Sequence, residues 1–245
     1  MIIITAGNHR FFDVINHSVS QCKKLGYQIE VYDLLNLGFG KAWTVTNSSF
    51  QKNGFYHRMA SCGWCSKGLH KPEIIEDALN NHKTFVVYLD GDAVIASNID
   101  EVVGDFDVGV TIRSPAEMQA HMAQANSLKE PEKTNKKACQ ANAGVLFFQY
   151  TDKTLAFVKR WKEKTRELGN DQLAINKLVN PNNIKLVACA DYTVDDVKVR
   201  IFPGKIYNFT NIQPRQYDNR YWWQSQISEG HCTFDEAVCK IRLSN

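Results

Sequence analysis

The sequence predicts an α/β fold, a mixed sheet flanked by helices, on three observations. First, β-branched and aromatic runs alternate with amphipathic segments through the first half, the pattern of strand–helix–strand units. Second, the run Phe85-Val86-Val87-Tyr88-Leu89 is apolar throughout, as a strand buried on both faces must be, and it stops at Asp90-Gly91-Asp92. Third, strand-like runs continue through the second half, which turns the sheet to mixed directions. Hydrophobic content of 44% and charged content of 22% over 245 residues supply one substantial core. No internal repeat and no linker divides it, so residues 1–245 are expected to form a single domain.

Ile2–Ala6 reads as the first strand. The stretch from Asp13 to Leu25 follows as a helix, with Gly26 punctuating its end. Gln28–Tyr32 is the second strand, and Leu34–Leu69 is a loop-rich passage with glycines and little periodicity. Pro72 then opens a helix through about Asn80, because the first turn needs no proline N–H. Glu73, Glu76 and Asp77 lie early in it, where the helix dipole favours acids. Phe85–Leu89 and Asp107–Ile112 are the next strands. Ser114–Lys137 is polar and charged, and reads as a flap or helical excursion outside the core. Ala143–Gln149 is again a strand, and Thr154–Leu168 a helix with Leu155, Val158, Trp161 and Leu168 on its apolar face. Asp171–Val179 is a shorter helix with Asn170 or Asp171 at its start. Strands near Lys185–Ala188 and Val199–Phe202 precede an aromatic segment, Tyr207 to Trp223. Its Tyr217, Tyr221, Trp222 and Trp223 read as core packing or as a platform for sugar faces.

Composition removes several classes of function. A net charge of +3, with both signs interspersed, argues against nucleic acid. No apolar run reaches the length of a transmembrane helix, and the first residues lack the basic flank of a signal peptide. Seven scattered cysteines favour reduced thiols and a cytoplasmic setting. Cys62-Gly63-Trp64-Cys65, flanked by His57 and His70, is a lone CxxC without a second pair, and reads as a packed loop before a zinc knot. The sequons at Asn47 and Asn208 carry meaning only in a secretory compartment.

Asp90 and Asp92 carry the chemistry. Side chains at i and i+2 of an extended segment share a face, so both carboxylates can look into the crevice at the strand's carboxyl end. Two acids separated only by glycine repel one another, which suits a divalent cation with oxygen ligands beside a phosphate. Gly91 leaves room for a large ligand. The end of the first strand, Thr5-Ala6-Gly7-Asn8, lies where a nucleoside base would sit. Two enzyme classes fit this much. One is a phosphatase of the haloacid dehalogenase type, with Asp90 as nucleophile, Asp92 as acid/base and Asp195-Asp196 as later Mg²⁺ ligands. Its strand normally opens the fold, however, whereas a strand–helix–strand unit precedes this one. A sugar-nucleotide-forming nucleotidyltransferase needs a glycine-rich basic loop, which Gly7-Asn8-His9-Arg10 matches poorly.

The other class enters through an ordered set of motifs. Lys71-Pro72-Glu73 through Leu79, Val87-Tyr88-Leu89-Asp90-Gly91-Asp92-Ala93-Val94-Ile95 and Asn98–Val102 come first. Asn142-Ala143-Gly144-Val145-Leu146-Phe147-Phe148, Gly169-Asn170-Asp171-Gln172, Phe202-Pro203 and Tyr207-Asn208-Phe209 follow. In that order they resemble the GT-A class of nucleotide-sugar glycosyltransferases, closest to the retaining type related to glycogenin and the bacterial galactosyl- and glucosyltransferases. The resemblance implies a GT-A fold with a Rossmann-like sheet, residues 1–112 binding nucleotide and 113–245 binding sugar and acceptor. It implies transfer of a hexose from a nucleotide diphosphate sugar, UDP before other bases, to an unidentified acceptor, with retention. Mn²⁺ or Mg²⁺ would be the cofactor, held by Asp92 and, directly or through water, by Asp90, which would also reach the ribose.

The remaining roles follow from the same resemblance. Lys71 would contact nucleotide or phosphate, and Arg113 the donor sugar or diphosphate. Asn142, with Ala143 and the close-approaching Gly144, would bind sugar hydroxyls or acceptor. Asp171 and Gln172 would flank the anomeric carbon, the carboxylate stabilising an oxocarbenium-like transition state, binding a hydroxyl or attacking as nucleophile. The family's late histidine ligand corresponds either to His231, which lacks the usual flanks, or to Arg242 in 238–243, which would contact diphosphate instead. A nucleotide-sugar binding protein without turnover stands beside the enzyme on the same residues.

Overall fold

The structure, a computed structural model, describes residues 1–7, 12–34, 38–43, 70–91, 93–95, 98–113, 140–182, 186, 191–203 and 209–211. Its strands are β1 (Ile2–Gly7), β2 (Ile29–Asp33), β3 (Lys41–Ala42), β4 (Val86–Asp90), β5 (Ala93–Ile95), β6 (Val108–Arg113), β7 (Gln140–Phe148), β8 (Asp191–Val194), β9 (Val197–Pro203) and β10 (Phe209–Asn211). Its α-helices are α1 (Phe12–Lys24), α2 (Lys71–His82), α3 (Asp152–Leu168) and α4 (Asp171–Val179).

Eight strands form one sheet in the order β3-β2-β1-β4-β7-β6-β9-β8, and β5 pairs with β10 in a separate ribbon. From β3 to β4 every pairing is parallel. β7 then runs antiparallel to both of its neighbours, β4 and β6. The expected mixed α/β sheet is therefore present.

Each face of the sheet has its own core. On one face Ile4, Tyr88, Val110 and Leu146 pack with Ile74, Ile75 and Leu79 of α2, Phe157, Val158 and Trp161 of α3, and Ala174, Ile175 and Val179 of α4. On the other, Ile3, Val87, Leu89 and Phe147 pack with Cys22 of α1, Ile95 of β5, Phe106 and Phe202. Each large apolar side chain buried this way contributes roughly 1.5–3 kcal/mol, so both layers are needed to offset chain entropy. β1 and β4 are covered on both sides, which explains why they read as continuous apolar runs.

The helix ends follow local chemistry. Thr151 Oγ1 accepts the Thr154 N–H at 3.1 Å to start α3. Gly169, with φ +63°, ends α3 in the left-handed conformation glycine tolerates. Asn170 then caps α4 by accepting the Leu173 N–H at 2.8 Å. α2 runs past the expected Asn80 to His82 and closes on Lys83 in the left-handed region. Its acids serve more than the dipole: Glu73 pairs with Arg166 at 2.9 Å, Glu76 with Lys162, and Asp77 with Lys41.

Other elements differ from expectation. β7 begins at Gln140 rather than Ala143, since Gln140 and Asn142 carry no strand-like apolarity but pair with Arg113 and Thr111. β3, β5 and β10 are two- or three-residue strands defined by their neighbours. The expected strand 185–188 lies outside the described residues except for Leu186, and the strand found nearby is β8. The CxxC pair, the flap 114–137 and the aromatics from Tyr217 to Trp223 also lie outside them. Among the described residues, no helix is long and apolar enough to cross a membrane.

Candidate active site

β4 ends at Asp90, whereas β7 continues past it. Leu89 faces Val145, and this is the last pairing between the two strands. On its other side β7 changes register: Val110 faces Leu146, but Thr111 faces Asn142. Ala143, Gly144 and Val145 therefore bulge out of the ladder with β6. A bulge frees backbone groups and re-aims side chains, and such irregularities concentrate beside active sites. Lys71, from the first turn of α2, donates to the Ala143 carbonyl at 3.1 Å. Gln172 Oε1 accepts the Ala143 N–H at 3.3 Å. Asn142 folds its Oδ1 back to accept the Gly144 N–H at 3.0 Å.

The same lysine joins two acids. Lys71 Nζ lies 2.9 Å from Asp90 Oδ1 and 2.9 Å from Asp171 Oδ2, with side-chain exposures of 10% for Lys71, 28% for Asp90 and 7% for Asp171. Three elements thus bring an Asp–Lys–Asp group to the carboxyl end of β4, the crevice where open α/β sheets bind ligands. Burial opposes the Lys71 charge, but Asp171 and Asp90 together outweigh it and hold its pKa above the ordinary value. Asp171 is also raised: burial pushes it up, and Lys71, shared with Asp90, only partly offsets this. Beside them His70 is buried, and its imidazole is held down to about 3 by that burial and then by the Lys71 charge. It is neutral at physiological pH.

Two residues of this group were not singled out in the sequence. The Tyr88 hydroxyl donates to Asp90 Oδ1 at 2.9 Å. Its position two residues before Asp90 on one face was the available signal. Asn176 brackets Ala141, accepting its N–H and donating to its carbonyl, both at 2.8 Å. Only the tertiary pairing of α4 with β7 reveals this.

The predicted residues fall into three groups. Lys71, Asp90, Asn142, Ala143, Gly144, Asp171 and Gln172 come together as described. Gly91 follows them, buried, in the turn after β4. Gly144 approaches so closely that a Cβ there would lie 3.0 Å from Asp90 Oδ2. On β1, Ala6 is the register neighbour of Asp90. Gly7 ends that strand. Thr5 belongs with Leu89 on the opposite face of the sheet, where its buried Oγ1 has no hydrogen-bond partner among the described residues. Arg113 is placed by backbone only, ending β6 opposite Gln140. Asn8, Asp92 and His231 lie outside the described residues.

The phosphatase arrangement fails on geometry. Asp195 and Asp196 form the tight turn between β8 and β9, with φ of 47° and 63°. β9 begins there and runs parallel to β6, hence parallel to β4. The Asp195-Asp196 turn is consequently at the opposite end of the sheet from Asp90, and Asp195 is paired with Arg160 at 3.0 Å. These acids are hairpin-turn residues.

Comparison with known proteins gives the family of the chain. Residues 36–231 match a family model described as nucleotide-diphospho-sugar transferase. Among solved structures, the chain is similar to a glycosyltransferase involved in the glycosylation of the major capsid of PBCV-1, at 12% identity and a TM-score of 0.45, over 82% of this chain and 94% of that one. It is similar to the galactosyltransferase LgtC in complex with donor and acceptor sugar analogues, at 18% identity and a TM-score of 0.42, over 73% of this chain and 70% of that one. It is also similar to the glycosyltransferase GlyE of Streptococcus pneumoniae TIGR4, at 14% identity and a TM-score of 0.41, over 76% of this chain and 44% of that one. No curated protein matches the chain.

Proposed function

Since the chain belongs to the nucleotide-diphospho-sugar transferase family and is a glycosyltransferase, we propose that it moves a hexose from a UDP-sugar to an acceptor, with retention and with the help of Mn²⁺ or Mg²⁺. The observation that carries this reading is the Lys71–Asp90–Asp171 group, assembled from three elements at the carboxyl end of β4.

Asp90 fits a hard cation as an oxygen donor: it ends a strand, and Gly144 puts no Cβ against its Oδ2. Asp92, two residues on, is its expected partner, with His231 as the late ligand. Among the described residues no three His, Cys, Asp or Glu side chains form a group that could hold a metal ion, and Asp92 and His231 lie outside them. The cation, when bound, neutralises charge developing on the departing diphosphate. The chain's own residues do the rest. Lys71 fixes both carboxylates, Asp90 toward the diphosphate and ribose and Asp171 toward the sugar. Asp171, desolvated, is the group to stabilise positive charge at the anomeric carbon, to bind a sugar hydroxyl or to attack as nucleophile. Gln172 spends its Oε1 on Ala143, and its buried Nε2 has no partner among the described residues, which leaves a donor for a hydroxyl. Asn142 and the Gly144 backbone complete a polar floor. Thr5 to Asn8 and Arg113 take the base and the donor's phosphate or sugar.

The test is release of free UDP from a panel of UDP-sugars with Mn²⁺ or Mg²⁺, with and without chelator. We expect slow, metal-dependent release without acceptor, and loss of metal-dependent donor binding in Asp92→Ala with the fold retained by circular dichroism. Binding without release in every acceptor mixture would favour a binding protein. Donor affinity in Asp92→Ala equal to wild type by calorimetry would remove the metal assignment.

A further inference from the structure

We propose that Asn176 is a positioning residue of the site, standing in for the strand that β7 lacks beyond the end of β4. The proposal rests on the transfer reading above and adds a residue to it.

Along a strand, backbone N–H and C=O pairs point alternately to the two sides. Between Phe148 and Leu146 both sides of β7 are taken, by β4 and β6. From Gly144 back to Gln140 the β4 side has no strand. Asn176 Oδ1 accepts the Ala141 N–H and Asn176 Nδ2 donates to the Ala141 carbonyl, both at 2.8 Å. These are the two bonds a neighbouring strand would make. Ala141 is fully buried, so losing them would leave backbone groups that water reaches poorly. One helical turn earlier, on the same face of α4, Gln172 takes the next outward N–H, that of Ala143. Lys71 takes the Ala143 carbonyl.

Helix side chains thus extend the ladder past the end of β4, and the residue between their two anchors is Asn142. Asn176 Nδ2 also donates to the Gln172 carbonyl at 2.8 Å, inside α4. One amide therefore ties the Asn142 segment to the turn that carries Asp171 and Gln172. Only an amide supplies donor and acceptor at that spacing; aspartate lacks the donor and alanine lacks both.

The experiment uses the full chain as Asn176→Asp and Asn176→Ala, with Val179→Ala as a control that loosens the packing of α4 without removing a hydrogen bond to β7. Amide hydrogen exchange across residues 141–144 reports the ladder directly. UDP, UDP-glucose and UDP-galactose are the binding probes, and donor hydrolysis gives kcat and KM. We expect exchange at 141–144 to quicken at least tenfold in Asn176→Ala. UDP affinity should stay within twofold of wild type, and kcat should fall at least tenfold in both Asn176 variants but not in Val179→Ala. Unchanged exchange, or unchanged kcat in an active protein, overturns the proposal. Equal loss of UDP affinity, or equal loss of kcat in Val179→Ala, assigns Asn176 a purely structural role and overturns it as well. If wild type itself turns over no UDP-sugar, the transfer reading fails together with the positioning role, and the exchange result still decides the ladder.

Discussion

At the scale of single residues the site is governed by close approach and by shared charge. Lys71 bridges two carboxylates, so neither acid is independent of the other. Gly144 matters because of what it leaves out. A methyl group there would meet Asp90 Oδ2 at 3.0 Å and Asn142 Oδ1 at 3.2 Å, tighter than ordinary contact. Gly144→Ala should displace the Asp90 carboxylate, costing about 1–3 kcal/mol of stability if the overlap is relieved by strain. Donor affinity should drop at least tenfold; calorimetry with UDP-glucose checks it, and wild-type affinity would show that Asp90 moves at no cost. Lys71, Asp90 and Asp171 were legible in the sequence because each stands at an element boundary, and Asn142 because it precedes the apolar run of β7. Tyr88 was hidden inside such a pattern, being both a core ring and the donor to Asp90. Asn176 was hidden for another reason: its partner is backbone, and backbone partners leave no mark on composition.

At the scale of elements, helices were more legible than short strands. α4 matches its expected limits because Asn170 caps it and its apolar spacing is helical. β7 was recognised only in its apolar part, Ala143 onward, since its polar beginning is held by pairing and by amides from α4. The bulge at Ala143–Val145 was not legible at all, because a register shift is a relation between two strands. Asp195-Asp196 suited the rival phosphatase reading for a related reason: two adjacent acids look like ligands, whereas the left-handed backbone of a tight hairpin turn also selects aspartate. β6 offers a test of element packing. Gly109 lies where a Cβ would meet Phe202 at 2.6 Å and the Phe147 Cβ at 2.9 Å. Gly109→Ala should separate β6 from those rings and destabilise the fold by about 1–3 kcal/mol in urea unfolding. An unchanged midpoint would mean that the aromatic layer yields freely.

At the scale of the whole molecule, strands from the early and late parts of the sequence share one sheet: β7 lies between β4 and β6, and β9 beside β6. The mixed sheet expected of the GT-A class is thus built by interleaving, with helices on both faces. Global stability should carry the signature of His70. Its imidazole is held down to about 3 when folded, against 6.5 when free. A depressed pKa gives stability that is present above about 6.5 and lost as pH falls toward 3, because the unfolded chain binds the proton first. Between pH 6.5 and about 4.5 that loss is roughly 2–3 kcal/mol. Urea midpoints over this window should fall more steeply for wild type than for His70→Gln. Parallel slopes would show that His70 takes up its proton without unfolding.

The antiparallel course of β7 has a last consequence. Arg113, where β6 ends, and Gln140, where β7 begins, face each other across the ladder at the end of the sheet that holds Asp90 and Asp171. Whatever chain joins them leaves from and returns to the rim of the site, so its two anchor points are already side by side. Closing a loop on fixed, adjacent ends costs free energy only as the logarithm of its length. Segments of different length can therefore be joined at 113 and 140 with the pairing of β6 and β7 left in register. Grafting at 113 and 140 is accordingly the natural way to ask what this enzyme glycosylates.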